Sequence, residues 1–175
     1  MKNLSDIKVL YSECEIQSAI KKLADSLNDS YKDEEVVLIC ILKGASFFAT
    51  DLAKHLKMPL KMEFVRLSSY VGEKSTGKIN PISLTLTDLN GKNVIVLEDI
   101  IDTGITLNFF ANYLRENYQI KDLKICTLLN KKVKREVDIE ADYFLFEVKD
   151  EFVVGYGLDY DEYYRNLPYV GYLNS

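Results

Sequence analysis

The stretch VIVLEDIIDTGITL, residues 94–107, changes character twice. Val94 to Leu97 form a continuous apolar run, the pattern of a strand covered on both faces. Three carboxylates follow within five residues, at Glu98, Asp99 and Asp102. Thr103-Gly104-Ile105-Thr106 then opens a helix whose inward positions are Leu107, Phe110, Ala111 and Leu114. Strand, tight turn and helix in this order form the repeating unit of an α/β fold. In an open parallel sheet, ligands sit beyond the carboxyl ends of the strands. Free backbone N–H groups and the helix dipole attract a phosphate to a helix start. Residues 102–106 therefore read as an anion seat, with the Thr103 and Thr106 hydroxyls as extra donors.

The same alternation extends in both directions. VVLICIL (36–42) is a second buried strand, ending in Lys43-Gly44. Before it, Ser12 to about Tyr31 reads as an amphipathic helix, with Ser12 and Glu15 as a capping box. After it, Ser46 is placed to cap a helix through Leu56 that Pro59 keeps from extending. KMEFVRL (61–67) is a strand, SSYVGEKSTGKINP (68–81) a long polar loop, and ISLTLT (82–87) a half-exposed strand. Asn90-Gly91 marks a turn. LKICTLL (123–129) is another buried strand, followed by the charged run NKKVKREVD. YFLFEV and FVVGYG supply short strands, and the tail YDEYYRNLPYVGYL is aromatic and turn-rich. The pattern predicts an α/β fold with a mostly parallel central sheet flanked by helices, in one domain.

Composition narrows the function classes. A chain of 175 residues suits one domain, and 47% hydrophobic with 28% charged residues is a globular balance. The net charge of −5 and pI near 5.0 argue against a nucleic-acid partner. Cys14, Cys40 and Cys126 are too few and too widely spaced for a disulfide framework or a zinc site. No apolar stretch approaches a membrane span, so no membrane partner is expected and the location is read as cytoplasmic. His55, the only histidine, is read as a surface residue.

The acids must serve something other than the phosphate. Adjacent Glu98 and Asp99 can accept hydrogen bonds from a vicinal diol, directly or through a divalent cation. Asp102, a turn away, can act as a general base beside a developing cation. A ligand with a phosphate, then hydroxyls, then a reacting centre fits all of these, and a phosphoribosyl group has that layout. The competing phosphate motifs, G-x-x-x-x-G-K-[ST] and G-x-G-x-x-G, are absent.

VIVLEDIIDTGITL closely resembles the phosphoribosyl pyrophosphate signature of the phosphoribosyltransferases. ILKGASFF, LSSY with STG beyond it, NKK after a strand, and FVVGYGLDYDEYYRNLPYVG resemble the hypoxanthine-guanine, purine-salvage branch. The resemblance runs in order from about residue 36 to 173. It implies a core sheet within about 34–150, a hood from the N-terminal segment and about 150–175, and a lid loop over about 68–81 bearing Ser69 and Tyr70. It implies Glu98 and Asp99 as ribose-diol and magnesium-side carboxylates, with Asp159 serving a second magnesium or the 2-amino group of guanine. Asp102 is implied as the base, and Asp102, Thr103, Gly104, Ile105 and Thr106 as the 5′-phosphate turn. Lys43 and Gly44, through a non-proline cis peptide, and Arg165 are implied to hold pyrophosphate. Lys131 is implied to bond the purine 6-oxygen, Phe152 to stack on the base, and Val153 to meet its edge.

The expected reaction converts hypoxanthine or guanine with phosphoribosyl pyrophosphate into IMP or GMP and pyrophosphate. Mg2+ is the expected cofactor, and a homodimer or homotetramer the expected assembly. One position departs from the pattern: some members carry lysine inside the T-G-x-T turn, where this chain has Ile105. Two other readings stay open, a regulatory protein that keeps the fold to sense phosphoribosyl pyrophosphate while binding nucleic acid, and a relative preferring xanthine or a pyrimidine.

Overall fold

The computed structural model describes residues 7–67, 81–83 and 86–173. Its elements are β1 (Ile7–Tyr11), α1 (Glu13–Tyr31), β2 (Val36–Leu42), α2 (Ser46–Ala53), β3 (Leu60–Leu67), β4 (Pro81–Ser83), β5 (Asn93–Ile101), α3 (Ile105–Asn117), β6 (Asp122–Asn130), β7 (Tyr143–Glu147), β8 (Val153–Val154) and β9 (Val170–Leu173). The central sheet has the order β4-β3-β2-β5-β6-β7, parallel throughout except for the antiparallel edge strand β4.

The apolar runs divide by parity, as a strand buried on both faces requires. Leu38, Cys40, Ile95 and Leu97 pack with Ile16, Ile20 and Leu27 of α1 and Phe48 and Leu52 of α2. Val37, Ile39, Val94 and Val96 point the other way, onto Leu107, Phe110, Ala111 and Leu114 of α3. Helices thus cover both faces. Both Cys40 and Cys126 are buried in this core, and burial pushes the Cys40 thiol up to about 12. The Ser12 capping box forms as expected, with the Glu15 carboxylate accepting from the Ser12 N–H at 2.9 Å.

Several expected elements differ. Ser46 does not cap α2; Ala45 holds that position, and the Ser46 hydroxyl donates to the Lys43 carbonyl at 2.7 Å. The helix stops at Ala53, before the expected Leu56, because the chain tightens into three-residue turns that Asn28 of α1 holds. The Asn28 amide donates to the His55 carbonyl and accepts from the Lys57 N–H. His55 consequently lies just past α2. Of the strand expected over 82–87, residues 82 and 83 belong to β4, residues 84 and 85 lie outside the described residues, and Leu86 and Thr87 are not in a strand.

A second sheet, β1-β9-β8, joins the two ends of the chain, with Ile7 opposite Leu173 and Val153 opposite Tyr172. The tail read as turn-rich thus supplies a paired strand, β9. Among the described residues, no helix is long and apolar enough to cross a membrane.

Candidate active site

β5 is longer than its apolar run. Its pairing with β2 ends at Leu97 opposite Cys40, but its pairing with β6 continues to Ile101 opposite Asn130. Glu98 and Asp99 therefore lie within the strand rather than past its end, on the stretch that outruns β2. The chain leaving β2 turns there through Lys43 and Gly44, and the Leu42–Lys43 peptide bond is cis. Gly44 packs directly on Asp99: a Cβ at position 44 would stand 1.5 Å from Asp99 Oδ2. Gly157 closes in from the far side, where an added Cβ would lie 2.0 Å from the Gly44 carbonyl oxygen.

Two adjoining cavities open here. One, of about 340 Å³, is lined by Lys43, Gly44, Glu98, Asp99, the 102–104 turn, Thr106 and Arg165. The other, of about 230 Å³, is lined by Lys131, Glu151, Phe152, Val153, Leu158 and Asp159. Asp99, Ile100 and Asp102 belong to both walls. A ligand spanning the two would thus pass beside Asp102. The larger cavity between α1 and β7, about 800 Å³, contains none of the expected site residues.

Glu98 and Asp99 form the floor of the first cavity. Burial, and then the neighbouring Asp99 charge, push Glu98 well above the ordinary carboxylate range. Burial raises Asp99 too, against the Ile100 N–H and the Arg165 charge. Two adjacent half-buried carboxylates favour a positive partner. Asp102 has one buried oxygen, Oδ1, with no hydrogen-bond partner among the described residues. Its other oxygen stands 4.0 Å from Lys131 Nζ. Lys131 is only 6% exposed, and its ammonium also reaches Asp150 at 3.2 Å and the Glu151 carbonyl at 3.4 Å. Phe152 presents an exposed ring to the second cavity, braced edge-on by Tyr160 at 5.6 Å.

The 102–106 turn is built at the start of α3. Gly104 caps the helix with φ +82, a conformation that favours glycine, and a Cβ there would strike Ile139 at 2.6 Å. The first-turn N–H groups, lacking a preceding turn to bond, are available to an anion. The Ile105 side chain is exposed and does not line the cavity; its N–H leans on the Thr103 hydroxyl at 3.4 Å.

The charged run after β6 supports this turn from behind. Arg135 donates to the carbonyls of Asp102 at 3.1 Å, Ile101 at 3.4 Å and Ile139, and to Asn130 Oδ1 at 2.7 Å. The Glu136 N–H adds a bond to the Thr103 carbonyl at 2.9 Å. On the opposite rim, Arg165 pairs with Asp159 at 2.7 Å and donates to the Gly157 carbonyl at 2.7 Å.

The fold therefore gathers Lys43, Gly44, Glu98, Asp99, Asp102, Thr103, Gly104, Thr106 and Arg165 in one cavity, and Lys131, Phe152, Val153 and Asp159 in the next. Ser69 and Tyr70 lie outside the described residues. Among the described residues no three acids, cysteines or histidines gather as a metal site, so Asp159 does not join Glu98 and Asp99 in one cluster. Sequence reading missed Ile100, Leu158 and Glu151 as cavity walls, and Arg135 as the support of the turn. Only Ile100 had a local signal, as the next residue along β5.

The comparisons agree with this geometry. A family model described as the phosphoribosyl transferase domain matches residues 8–161. A hypoxanthine-guanine phosphoribosyltransferase of Bacillus subtilis is 46% identical over 95% of this chain and 92% of its own length. A hypoxanthine-guanine-xanthine phosphoribosyltransferase of Tritrichomonas foetus is 42% identical over 96% of this chain and 92% of its own. The crystal structure of a hypoxanthine phosphoribosyltransferase from Staphylococcus aureus superposes with a TM-score of 0.92 at 41% identity, covering 97% of this chain and 93% of that one. The family model over most of the chain, with relatives at 46% and 41% identity and the shared α/β fold, shows that the chain belongs to the phosphoribosyltransferase family. Within it, the chain groups with the hypoxanthine-guanine enzymes of purine salvage.

Proposed function

We propose that the chain transfers the 5-phosphoribosyl group from phosphoribosyl pyrophosphate to hypoxanthine or guanine, giving IMP or GMP and pyrophosphate. The observation that carries this reading is the pair of cavities sharing Asp102, one with an anion turn and the other with a lysine and an open aromatic face. The 102–106 turn receives the 5′-phosphate through backbone N–H groups and the Thr103 and Thr106 hydroxyls. Glu98 and Asp99 face the ribose diol. Lys43, Gly44 and Arg165 hold the pyrophosphate and stabilise its charge as it departs.

In the second cavity, Phe152 stacks on the base and Val153 meets its edge. Lys131 donates to the 6-oxygen. A nearly buried ammonium there would be left short of an acceptor by adenine, whose 6-amino group offers hydrogens instead. Asp102 accepts the proton from the five-membered ring as the new bond forms at the anomeric carbon. Its unpartnered buried oxygen supports that role. Asp159, beside Arg165, faces the 2-position of the base.

Magnesium suits the Glu98–Asp99 pair, because a hard cation takes one or two carboxylates and completes its shell from substrate oxygens and water. When bound it would neutralise charge on the diphosphate. We assign residues 1–175 to one phosphoribosyltransferase domain in which the β1-β9-β8 sheet is the hood, Ser69 and Tyr70 belong to a lid, and the enzyme is a cytoplasmic homodimer or homotetramer. The family resemblance supports these last points.

A product assay tests the reading. With magnesium and phosphoribosyl pyrophosphate, hypoxanthine and guanine should give IMP and GMP, and adenine no AMP. Nucleotide from none of these bases, in a folded sample, would overturn it. Xanthine belongs in the same assay, since the Tritrichomonas relative is named for all three 6-oxopurines.

A further inference from the structure

Lys43 and Arg165 converge on one carboxylate. Lys43 Nζ lies 2.6 Å from Glu162 Oε2, and Arg165 Nη2 lies 3.4 Å from Glu162 Oε1. Each oxygen thus takes one cation. Neither cation is spare: Arg165 is held in addition by Asp159 and the Gly157 carbonyl, which fix its guanidinium at the cavity rim. Glu162 is the second residue of a two-residue hairpin turn, Asp161-Glu162, whose flanking residues Tyr160 and Tyr163 exchange backbone hydrogen bonds at 3.2 and 3.1 Å. Asp161 has φ +53, Glu162 φ +67 and Tyr164 φ +74, all non-glycine residues in the left-handed region. The Glu162 N–H is pinned by Asp159 Oδ2 at 2.8 Å. Two successive positive φ values are what such a turn requires, and the turn sets the Glu162 carboxylate beside Lys43 and Arg165. A carboxylate with its two oxygens on two cations also reproduces what a phosphoryl group offers the same cations.

We propose that Glu162 is a built-in stand-in for pyrophosphate, a residue that sets how tightly pyrophosphate is held and how readily it leaves. The proposal rests on the reading that Lys43 and Arg165 take the pyrophosphate end of the substrate. In the ligand-free site the Glu162 carboxylate keeps both cations oriented and neutralised. Phosphoribosyl pyrophosphate displaces it on binding. After transfer, the same carboxylate competes for the two cations and shortens the stay of the product. Its action is confined to this rim, because the 5′-phosphate turn is held by backbone groups and by Arg135 on the other side of the cavity. The pair is exposed, with 63% of the Glu162 side chain and 48% of that of Lys43 open to solvent, so the effect is moderate and weakened by salt.

The substitution Glu162→Gln keeps the shape and removes the charge. Calorimetric titration with magnesium pyrophosphate should show binding about twofold to fivefold tighter than in the unaltered protein. Titration with ribose 5-phosphate should be unchanged, and the gap for pyrophosphate should narrow at high ionic strength. In steady state, KM for phosphoribosyl pyrophosphate falls, pyrophosphate inhibits more strongly, and kcat drops where release limits turnover. A merely structural Glu162 would give the opposite, weaker binding of both ligands. Unchanged or weaker pyrophosphate affinity in a variant that still forms nucleotide overturns the proposal alone. An unaltered protein that forms no nucleotide and binds no pyrophosphate overturns the site reading, and the proposal with it.

Discussion

At the scale of single residues, the site depends on atoms that are missing a partner and on one side chain that must be absent. Asp102 Oδ1 is buried without a hydrogen-bond partner among the described residues, and Lys131 Nζ stands 4.0 Å from the other oxygen. Asp102→Asn keeps the shape and removes the base. Turnover should fall by about 10²–10⁴-fold while phosphoribosyl pyrophosphate still binds. A variant with unaltered kcat, measured under saturating substrates, would remove Asp102 from the role. Gly44 is the complementary case. Any Cβ there displaces the Asp99 carboxylate, since the contact would be 1.5 Å. Misplacing a substrate-positioning group by about 1 Å costs on the order of a hundredfold. Gly44→Ala should therefore lose about that factor in kcat/KM for phosphoribosyl pyrophosphate with little change in Tm, because the clash lies at the cavity rather than in the core. A large fall in Tm with kinetics intact in the folded fraction would show that the glycine serves folding instead.

At the scale of elements, local signals were legible and distant pairings were not. VVLICIL and VIVL read as buried strands because both parities are apolar, and each parity packs on a different helix layer. The D-T-G-I-T turn was legible because glycine and threonine at a helix start have a direct chemical meaning. β9 was not, since its partner β1 lies at the other end of the chain and neither short segment has a clear alternation. KKVKRE shows the same limit within the site. As a string it is a solvated charge run, and Lys131 stood out only through family resemblance. Nothing local distinguishes Arg135 from its neighbours. It matters because the loop after β6 folds back under the α3 start, where one guanidinium reaches oxygens of four residues.

That clamp supports a prediction about the proposed phosphate turn, whose middle residue is the uncharged Ile105. Arg135→Met keeps most of the stem and strands carbonyls that each cost about 1–3 kcal/mol when left without a partner. GMP and phosphoribosyl pyrophosphate, which both bear a 5′-phosphate, should bind about tenfold or more weakly. Pyrophosphate alone should bind as before. Equal losses for all three ligands would mean that Arg135 supports the whole site rather than the turn.

At the scale of the molecule, the cavity proposed for the base forms where the C-terminal segment meets the core sheet, so the proposed function requires that segment to dock. Gly157 lies against the Gly44 carbonyl, and the next residue back ties the segment down. The buried Tyr156, at φ +49, donates to Asp51 Oδ2 at 2.7 Å. Gln17 of α1 donates to the same oxygen at 2.8 Å, and Lys54 bonds Oδ1 at 2.8 Å. One carboxylate of α2 thus fastens α1 and the C-terminal segment together. Burial raises the Asp51 pKa, but the bonds from Lys54, Tyr156 and Gln17 outweigh it, and the group sits below its ordinary 3.8. A carboxylate depressed in this way holds its proton less tightly folded than unfolded. Its contribution to stability is therefore complete above 3.8 and is lost as pH falls through that value and below. Asp51→Asn should lower Tm at pH 7, and the difference from the unaltered protein should shrink steadily on acidification past about 4. Tyr156→Phe should lower Tm as well, and combining it with Asp51→Asn should cost less than the sum, since the first removes the bond that the second weakens. Melting curves collected from pH 7 down to pH 3 decide the matter: a Tm difference that stays constant across that range would place the Asp51 contribution in packing rather than in its charge. Affinity for guanine, measured on the same variants at neutral pH, should fall with the loss of this fastening, while ribose 5-phosphate binding, which depends on the α3 turn, is retained.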